Sequence, residues 1–334
     1  MGFKGGVLAV LASCAVVIAI TPSRADPPWT RAPRPLQIPA APRQPCPNPD
    51  ALGTSRDLIV GTSGGVEVGL KTYPRSLVLA DHEVVLTFDD GPAPGTTPAV
   101  LDALEHECVE ATFFLIGRNA NARPDLVQRE IKAGHSVGHH TWSHPGVTLR
   151  GLSDEAARAD IAKGIAADEK AGWGAQARDP ASPHVPFFRF PGFADTKPLL
   201  DWLKERNIAV FGADVWASDW NVMTPDKELQ LLMSRLNKAG KGIILLHDSK
   251  QQTAKMLPLF LAELKKSHYR VVHIVPGLGG TPTDPAPLSW SSETEASLSR
   301  IMPKLLGHSR HNPKATPSSA PAATGSGGTL QESF

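Results

Sequence analysis

Two adjacent acids, Asp89 and Asp90, close an apolar run in "VVLTFDDGPAPG", and Gly91 and Pro92 follow at once. A second stretch, "HHTWSHP", places His140 and His144 four residues apart, so that on a helical turn both imidazoles face the same way and can share one cation. Two neutral imidazoles and a carboxylate from another strand end make a three-ligand site with positions left open for water and substrate, as catalytic metal centres have. The acidic doublet then takes two roles. Neighbours on extended backbone cannot both point at one ion, so one carboxylate can bind it while the other accepts a proton. Taken alone, D-D-G-P also suits a solvated turn and H-x-x-x-H two satisfied loop side chains.

Two further stretches add chemistry. "IILLHDS" puts His247 at the end of a very apolar strand, where partial desolvation and a nearby carboxylate can hold its pKa near neutrality for proton delivery to a leaving group. A lone histidine at a strand end also suits a structural role. "FFRFPG" contributes Arg189, which is costly to bury without an anion; an acid such as Asp89 would satisfy it.

These residues need a scaffold. "EVVLTF" precedes "TPAVLDALEHE", in which Thr97 suits an N-cap and Pro98 the first helical turn. "ATFFLIG" precedes "RPDLVQREIKAG", whose Gly134 suits a helix end. "SVGHH", "FFRF", "IAVFGAD" and "GIILLHD" are each followed by a helix-length segment, and "RVVHIV" closes the series. Continuous apolar strands alternating with helices predict a parallel sheet covered on its outside. Seven or so such units suffice to close a barrel and equally fit an open doubly wound sheet. In both, chemistry gathers at the carboxyl ends of the strands, and Asp89-Asp90, His139-His140, Pro191, Asp214 and His247-Asp248 all fall there.

The remainder of the 334 residues sets limits. A net charge of +1 with scattered Lys and Arg leaves no footprint for nucleic acid or an anionic membrane. Residues 1–25 have the form of an export signal: Lys4, an apolar run from Val7 to Ile20, and small Ser23 and Ala25 before the cut. A permanent anchor is the alternative, although the run is short of the roughly 20 residues a bilayer needs; so is lipoprotein processing at Cys14 of "LASC". A mature chain without a membrane span, in the periplasm or outside the cell, is expected. Residues 26–50 are a proline-rich linker, 51–276 the folded domain, and 277–334 a low-complexity, mostly disordered tail interrupted by a weak helix near Glu293 to Leu306. Export would permit a Cys46–Cys108 disulfide, and a buried unpaired Cys108 is the other reading.

In this order, "TFDDGP", "HTWSHP" and "LLHD" resemble the motifs of the polysaccharide deacetylases that share the NodB homology domain, carbohydrate esterase family 4, across roughly Leu58 to Pro276. The resemblance implies an α/β fold, a distorted (β/α) barrel of about seven parallel strands. It implies Asp89 as catalytic base, and Asp90, His140 and His144 as ligands of a divalent metal, usually zinc, with cobalt an option. It further implies His247 as general acid, Arg189 as the residue orienting the base, and Asp219 with Trp220 as the pair that tunes the acid and lines the groove. Leu245 would wall the acetyl methyl. Pro191 and Gly192 would border the substrate, an N-acetylated polysaccharide or oligosaccharide of chitooligosaccharide or peptidoglycan type. Apart from the resemblance, a monomer is expected.

Two departures accompany the match. "RFPGF" puts Gly192 directly after Pro191 where the family usually has an aromatic residue, so the backbone N–H expected to help hold an oxyanion would be that of Gly192. Trp216 stands where the family usually has an acid three residues before Asp219, with Asp214 as a possible substitute. Competing readings are an O-acetyl esterase of xylan type using the same machinery, a two-histidine, one-carboxylate iron oxygenase, and a non-catalytic wall-binding module.

Overall fold

The computed structural model describes residues 1–2, 46–146 and 148–309. The chain divides into two units, Met1–Pro35 and Leu36–Phe334, and every strand and helix named below belongs to the second. The expected leader with Cys14, the linker up to residue 45 and the chain after residue 309 lie outside the described residues.

The folded chain enters through β1 (Thr54–Gly61), β2 (Glu67–Val68) and β3 (Arg75–Leu77). Strand β4 (Glu83–Asp89) starts the alternation, followed by α1 (Thr97–His106), β5 (Thr112–Leu115), α2 (Gly117–Ala122) and α3 (Pro124–Lys132). It continues with β6 (Ser136–His139), α4 (Asp154–Trp173), β7 (Phe187–Phe188), α5 (Lys197–Glu205), β8 (Ala209–Phe211) and β9 (Val215–Trp216). Then come α6 (Pro225–Ala239), β10 (Gly242–His247), α7 (Gln251–Lys266), β11 (Arg270–Gly277), β12 (Thr283–Pro285) and α8 (Glu293–Ser309).

Every residue of β4 is buried, as a strand covered on both faces requires. Strand β10 runs parallel to β4 over its whole length, β5 follows on the far edge of β4, and β6, β7 and β8 add in turn. After β8 the chain bends through residues 212–214 into β9, which pairs with β10 and so brings the ring round. This is the expected distorted barrel of parallel strands, with two differences of inventory. The single segment "IAVFGAD" and its continuation form two short strands, and "RVVHIV" pairs with only the first two residues of β4 and otherwise with β1.

Alternation along the strands sorts the core into two layers. Val84, Leu86 and Phe88 of β4 and Ile244 and Leu246 of β10 pack outward with α1 and α7 side chains such as Leu101, Leu104, Leu257 and Phe260. Val85 and Ile243 pack inward with Phe114, Phe187 and Phe211, whose rings meet at centroid separations of 4.9 and 5.7 Å. Burying each of these rings contributes about 1.5 to 3 kcal/mol. Inward parity therefore continues from Val85 through Thr87 to Asp89, and from Ile243 through Leu245 to His247.

Gly134, at φ +88, ends α3 as the sequence suggests. Thr97 is instead the first residue of α1; its hydroxyl accepts from the Ala93 N–H and donates to Asp248, so it is tied to its neighbours rather than to its own helix. Cys46 and Cys108 form a disulfide. No helix among the described residues is long and apolar enough to cross a membrane.

Within the stretch read as a tail, the helix expected near Glu293 to Leu306 is α8, and residues 278–309 also make specific contacts with the domain. Strand β12 pairs antiparallel with β3. The Trp290 indole N–H donates to Leu70 O at 2.6 Å, the Thr294 and Thr72 hydroxyls lie 3.0 Å apart, and Glu293 and Glu295 of α8 pair with Lys71 and Arg150. Composition hides this because the anchoring residues are few and dispersed among Gly, Pro and Ser. Leu298 is the apolar anchor, 1% exposed. Leu298→Ala is expected to lower stability by about 2 to 5 kcal/mol, the usual result of emptying a buried leucine site. Urea unfolding checks this, and an unchanged midpoint would mean that α8 contributes nothing to the core.

Candidate active site

The parallel register carries the rim residues to one place. His247 is the cross-strand partner of Asp89, and His139 that of both Leu115 and Phe188. His139 and His140 point to opposite sides. His139 turns outward, where its Nδ1 meets Asp168 of α4 at 2.8 Å, and His140 turns into a cavity that Asp89, His144, Gly192, Leu245 and His247 also line.

Asp90 leaves the strand. Its φ of +76 lies in the left-handed region, which turns its side chain away from the direction Asp89 takes. Asn119 Nδ2 donates to its carbonyl at 2.8 Å and fixes that turn. Asp90 Oδ1 lies 3.5 Å from His144 Nε2 and 3.7 Å from His140 Nε2. His140 Nδ1 is 2.8 Å from the Arg189 carbonyl, which can only accept, so the proton sits on Nδ1 and Nε2 presents a lone pair. Burial holds His140 down to about 4, neutral as a ligand must be. Burial alone would raise Asp90, but the imidazoles of His144, His247 and His140 outweigh it and set the carboxyl at about 2.

Asp90 Oδ1 is buried and has no hydrogen-bond partner among the described residues. A buried carboxylate oxygen without a hydrogen-bond donor, set between the His140 lone pair and His144 Nε2, is an arrangement that a bound cation relieves. Tetrahedral bonds of about 2.0 to 2.2 Å set ligand atoms about 3.3 to 3.6 Å apart, close to the spacings found. The three residues fit a divalent metal.

Asp89 is held from behind. Arg189, fully buried, donates from Nη1 to Asp89 Oδ1 at 2.7 Å and to Thr87 Oγ1 at 2.8 Å, from Nη2 to Gly212 O at 2.9 Å, and from Nε to Phe211 O at 3.2 Å. The guanidinium also lies 4.3 Å from the centre of the Phe114 ring. One Asp89 oxygen is thereby fixed. The other, Oδ2, faces the ligand side, 3.9 Å from His140 Nε2.

Across the cavity, Asp219 grips His247 twice, accepting from its backbone N–H at 2.7 Å and from Nδ1 at 2.8 Å. Burial would lower His247, but the Asp219 charge and hydrogen bond, with Asp90 and Asp89 beyond, raise it to about 9. It therefore carries its proton at neutral pH. Behind Asp219 stand Thr253 and Glu228, which the sequence does not flag because nothing local marks a buried Glu or Thr on an amphipathic helix. Thr253 Oγ1 lies 2.9 Å from Asp219 Oδ2 and 3.0 Å from Glu228 Oε1. A hydroxyl has one proton to give. Burial, with the Asp219 charge adding to it, raises Glu228 to about 8, so Glu228 keeps its proton and supplies the second contact.

The wall is aromatic. Trp216 and Trp220 meet edge to face at 5.7 Å, Phe193 stands 6.1 Å from Trp216, and Lys71 Nζ sits 5.2 Å over the Trp216 ring. Phe190 also lines the cavity and had no signal beyond its apolarity. Gly192 takes φ +58 within a tight turn over Pro191–Phe193. Pro191 is buried in that turn and not among the cavity-lining residues. Asp214 does not replace the missing acid: its carboxylate accepts from Leu70 N, Ser76 Oγ and Ile243 N, away from the cavity. Asp248 likewise faces outward to Thr97.

Residues 78–192 match the family model described as polysaccharide deacetylase. The chain is 34% identical over 201 residues to a peptidoglycan-N-acetylglucosamine deacetylase of Bacillus cereus, covering 57% of this chain and 85% of that protein. It is 30% identical over 194 residues to the peptidoglycan-N-acetylglucosamine deacetylase PgdA of Listeria monocytogenes, covering 58% of this chain but only 38% of that longer protein. Among solved structures, the peptidoglycan deacetylase Bd3279 of Bdellovibrio bacteriovorus superposes with a TM-score of 0.58 at 27% identity, over 67% of this chain and 60% of that one.

The triad makes a direct prediction. Titration of chelator-stripped protein with Zn2+ is expected to lose its tightest binding event in His140→Ala, by more than about tenfold in affinity, since one of three protein ligands is gone. An unchanged tight event in the calorimeter would remove the triad as a metal site.

Proposed function

The chain belongs to the polysaccharide deacetylase family, and from that premise we propose that it is an exported, metal-dependent hydrolase. It removes N-acetyl groups from N-acetylglucosamine-containing glycans of chitooligosaccharide or peptidoglycan type and releases acetate. A leader over 1–25 and a linker over 26–50 precede the catalytic domain, which works as a monomer in the periplasm or outside the cell. The observation that carries the reading is the donorless Asp90 oxygen between the Nε2 atoms of His140 and His144, with an Arg-held carboxylate on one side and a protonated imidazole on the other.

A divalent ion, zinc by preference, held by Asp90, His140 and His144 would supply Lewis acidity to a carbonyl oxygen and lower the pKa of a nearby water. The chain's own residues do the rest. Asp89 Oδ2 takes a proton from the attacking water while Arg189 keeps Oδ1 in place, so the base does not rotate away. As the acetyl carbon becomes tetrahedral, the Gly192 N–H donates to its oxygen, a role supported by Gly192 lining the cavity. His247 then passes the proton from its free nitrogen to the sugar nitrogen as the carbon–nitrogen bond breaks, leaving acetate and a free amine. Asp219 stabilises the imidazolium, and Glu228 through Thr253 keeps Asp219 from turning. Leu245 offers the acetyl methyl an apolar seat, and Trp220 and Trp216 offer faces for sugar rings.

Acetate release compared across chitooligosaccharide, peptidoglycan and acetyl-xylan tests the substrate class; turnover on acetyl-xylan alone would overturn N-deacetylation. Asp89→Asn is expected to retain bound zinc and lose about 10²- to 10⁴-fold in kcat, the usual contribution of a positioned base, read from acetate release beside metal content. Asp219→Asn removes the main partner that raises His247. The general acid must be protonated, so activity is lost as pH rises through its pKa, and in Asp219→Asn that alkaline limb of kcat/KM is expected at lower pH. An unmoved limb would take His247 out of the acid role.

A further inference from the structure

Far from the rim, near the amino ends of the barrel strands, Asp57 of β1 and His273 of β11 are cross-strand partners, and Glu110 reaches them from the connection before β5. His273 is buried. Its Nε2 lies 3.0 Å from Ser136 Oγ, and that hydroxyl donates its one proton to Ile274 O at 2.8 Å. Ser136 must therefore accept from His273, which puts the ring proton on Nε2. The other nitrogen, Nδ1, faces Asp57 Oδ1 and Glu110 Oε2, each at 3.4 Å. A bare lone pair opposed to two carboxylate oxygens is repulsive unless a cation stands between them.

Burial would lower His273, but the two carboxylates raise it above its ordinary value, so a proton on Nδ1 shared between them is one such cation; a divalent metal is the other, and the spacing of the three donors admits it. Where a histidine of this chain simply pairs with a buried carboxylate, the atoms close to hydrogen-bond distance: 2.8 Å for His139–Asp168, 2.7 Å for His184–Glu169 and 2.8 Å for His247–Asp219. The donors of the Asp90 triad stand 3.5 and 3.7 Å apart. The two separations from His273 Nδ1, 3.4 Å each, fall in the wider range, near the roughly 3.3 to 3.6 Å between ligands on one tetrahedral ion, and the three donor atoms all lie within 4.8 Å of one another.

We infer that Asp57, Glu110 and His273 form a second divalent-cation site, separate from the catalytic one and structural in effect. Two carboxylate oxygens and one imidazole nitrogen suit zinc, and Ser136 holds the ring from its far nitrogen as outer partners of metal-bound histidines do. The Asp57 and Glu110 side chains are 15% and 18% exposed, which gives the ion a path in and water a place to complete its coordination. The ion would pin β1 to β11 and to the same connection that the Cys46–Cys108 disulfide holds.

Metal content tests this second site without an activity assay and independently of the deacetylase reading. Full-length protein stripped by chelator and equilibrated with Zn2+ by dialysis is expected to hold two equivalents, with one in His140→Ala, one in His273→Gln and none in the double variant. Should His273→Gln fail to fold, Asp57→Asn, which preserves shape, is expected to weaken the second equivalent by at least about tenfold. In the His140→Ala background, excess Zn2+ is expected to raise Tm, and to stop doing so once Asp57→Asn is added. One equivalent in the unmodified protein and none in His140→Ala would overturn the inference in favour of a protonated His273. So would a second equivalent that survives both His273→Gln and Asp57→Asn.

Discussion

A guanidinium sealed inside the barrel governs the geometry around it. Arg189 cannot be solvated, so each of its N–H groups must find an acceptor on the chain, and a buried cation short of partners would be severely destabilising. The acceptors come from separate strands: Thr87 and Asp89 at the end of β4, Phe211 at the end of β8, and Gly212 just after it. Its own carbonyl then takes the His140 Nδ1 proton. One residue thus fixes the position of the proposed base and the tautomer of a proposed metal ligand. Phe114 and Phe193 stand over its guanidinium and help keep water away.

Around that centre, neighbouring residues are sent to different tasks by backbone direction alone. His139 and His140 follow strand alternation, one outward to Asp168 and one inward to the cavity. His247 and Asp248 divide in the same way, with Asp248 tying the β10 end to α1 through Thr97. The acidic doublet divides by a different device: Asp89 remains on the strand and Asp90 enters the left-handed region, so two carboxylates sit side by side without sharing a direction. Chain neighbours with unlike surroundings acquire unlike proton affinities, and this allows a cluster of acids and imidazoles to hold several charge states at one pH.

Much of the site is legible in the sequence because its chemistry is concentrated in short strings at strand ends, where a parallel α/β fold must bring them together. The alternation of apolar runs and helices is enough to anticipate parallel strands, and "TFDDGP" with "HTWSHP" and "LLHD" is enough to anticipate which side chains meet. What escapes is everything carried by distant, chemically ordinary residues. Glu228 and Thr253 lie on two helices with nothing local to mark them. Asp57, Glu110 and His273 come from three places in the chain, and only the register of β1 on β11 sets two of them opposite each other. The split into β8 and β9 depends on how Asp214 caps the start of β10, and the anchoring of α8 on a handful of side chains in otherwise polar, proline-rich sequence.

That last anchoring reaches the groove. The first turn of α8 grips Lys71, whose ammonium lies over Trp216, and Arg150, which in turn holds Asp195 just beyond the Gly192–Phe193 turn. Tyr73 joins the two sides by donating to Asp195 at 2.9 Å. Opposing walls of the cleft are thus braced by one strut contributed from beyond the last barrel strand, well after the proposed ligands in the chain. The width of the trough in which a sugar chain would lie is therefore set independently of the atoms that perform the reaction. Relatives could keep identical chemistry and accept polymers of different girth or branching by altering only this brace.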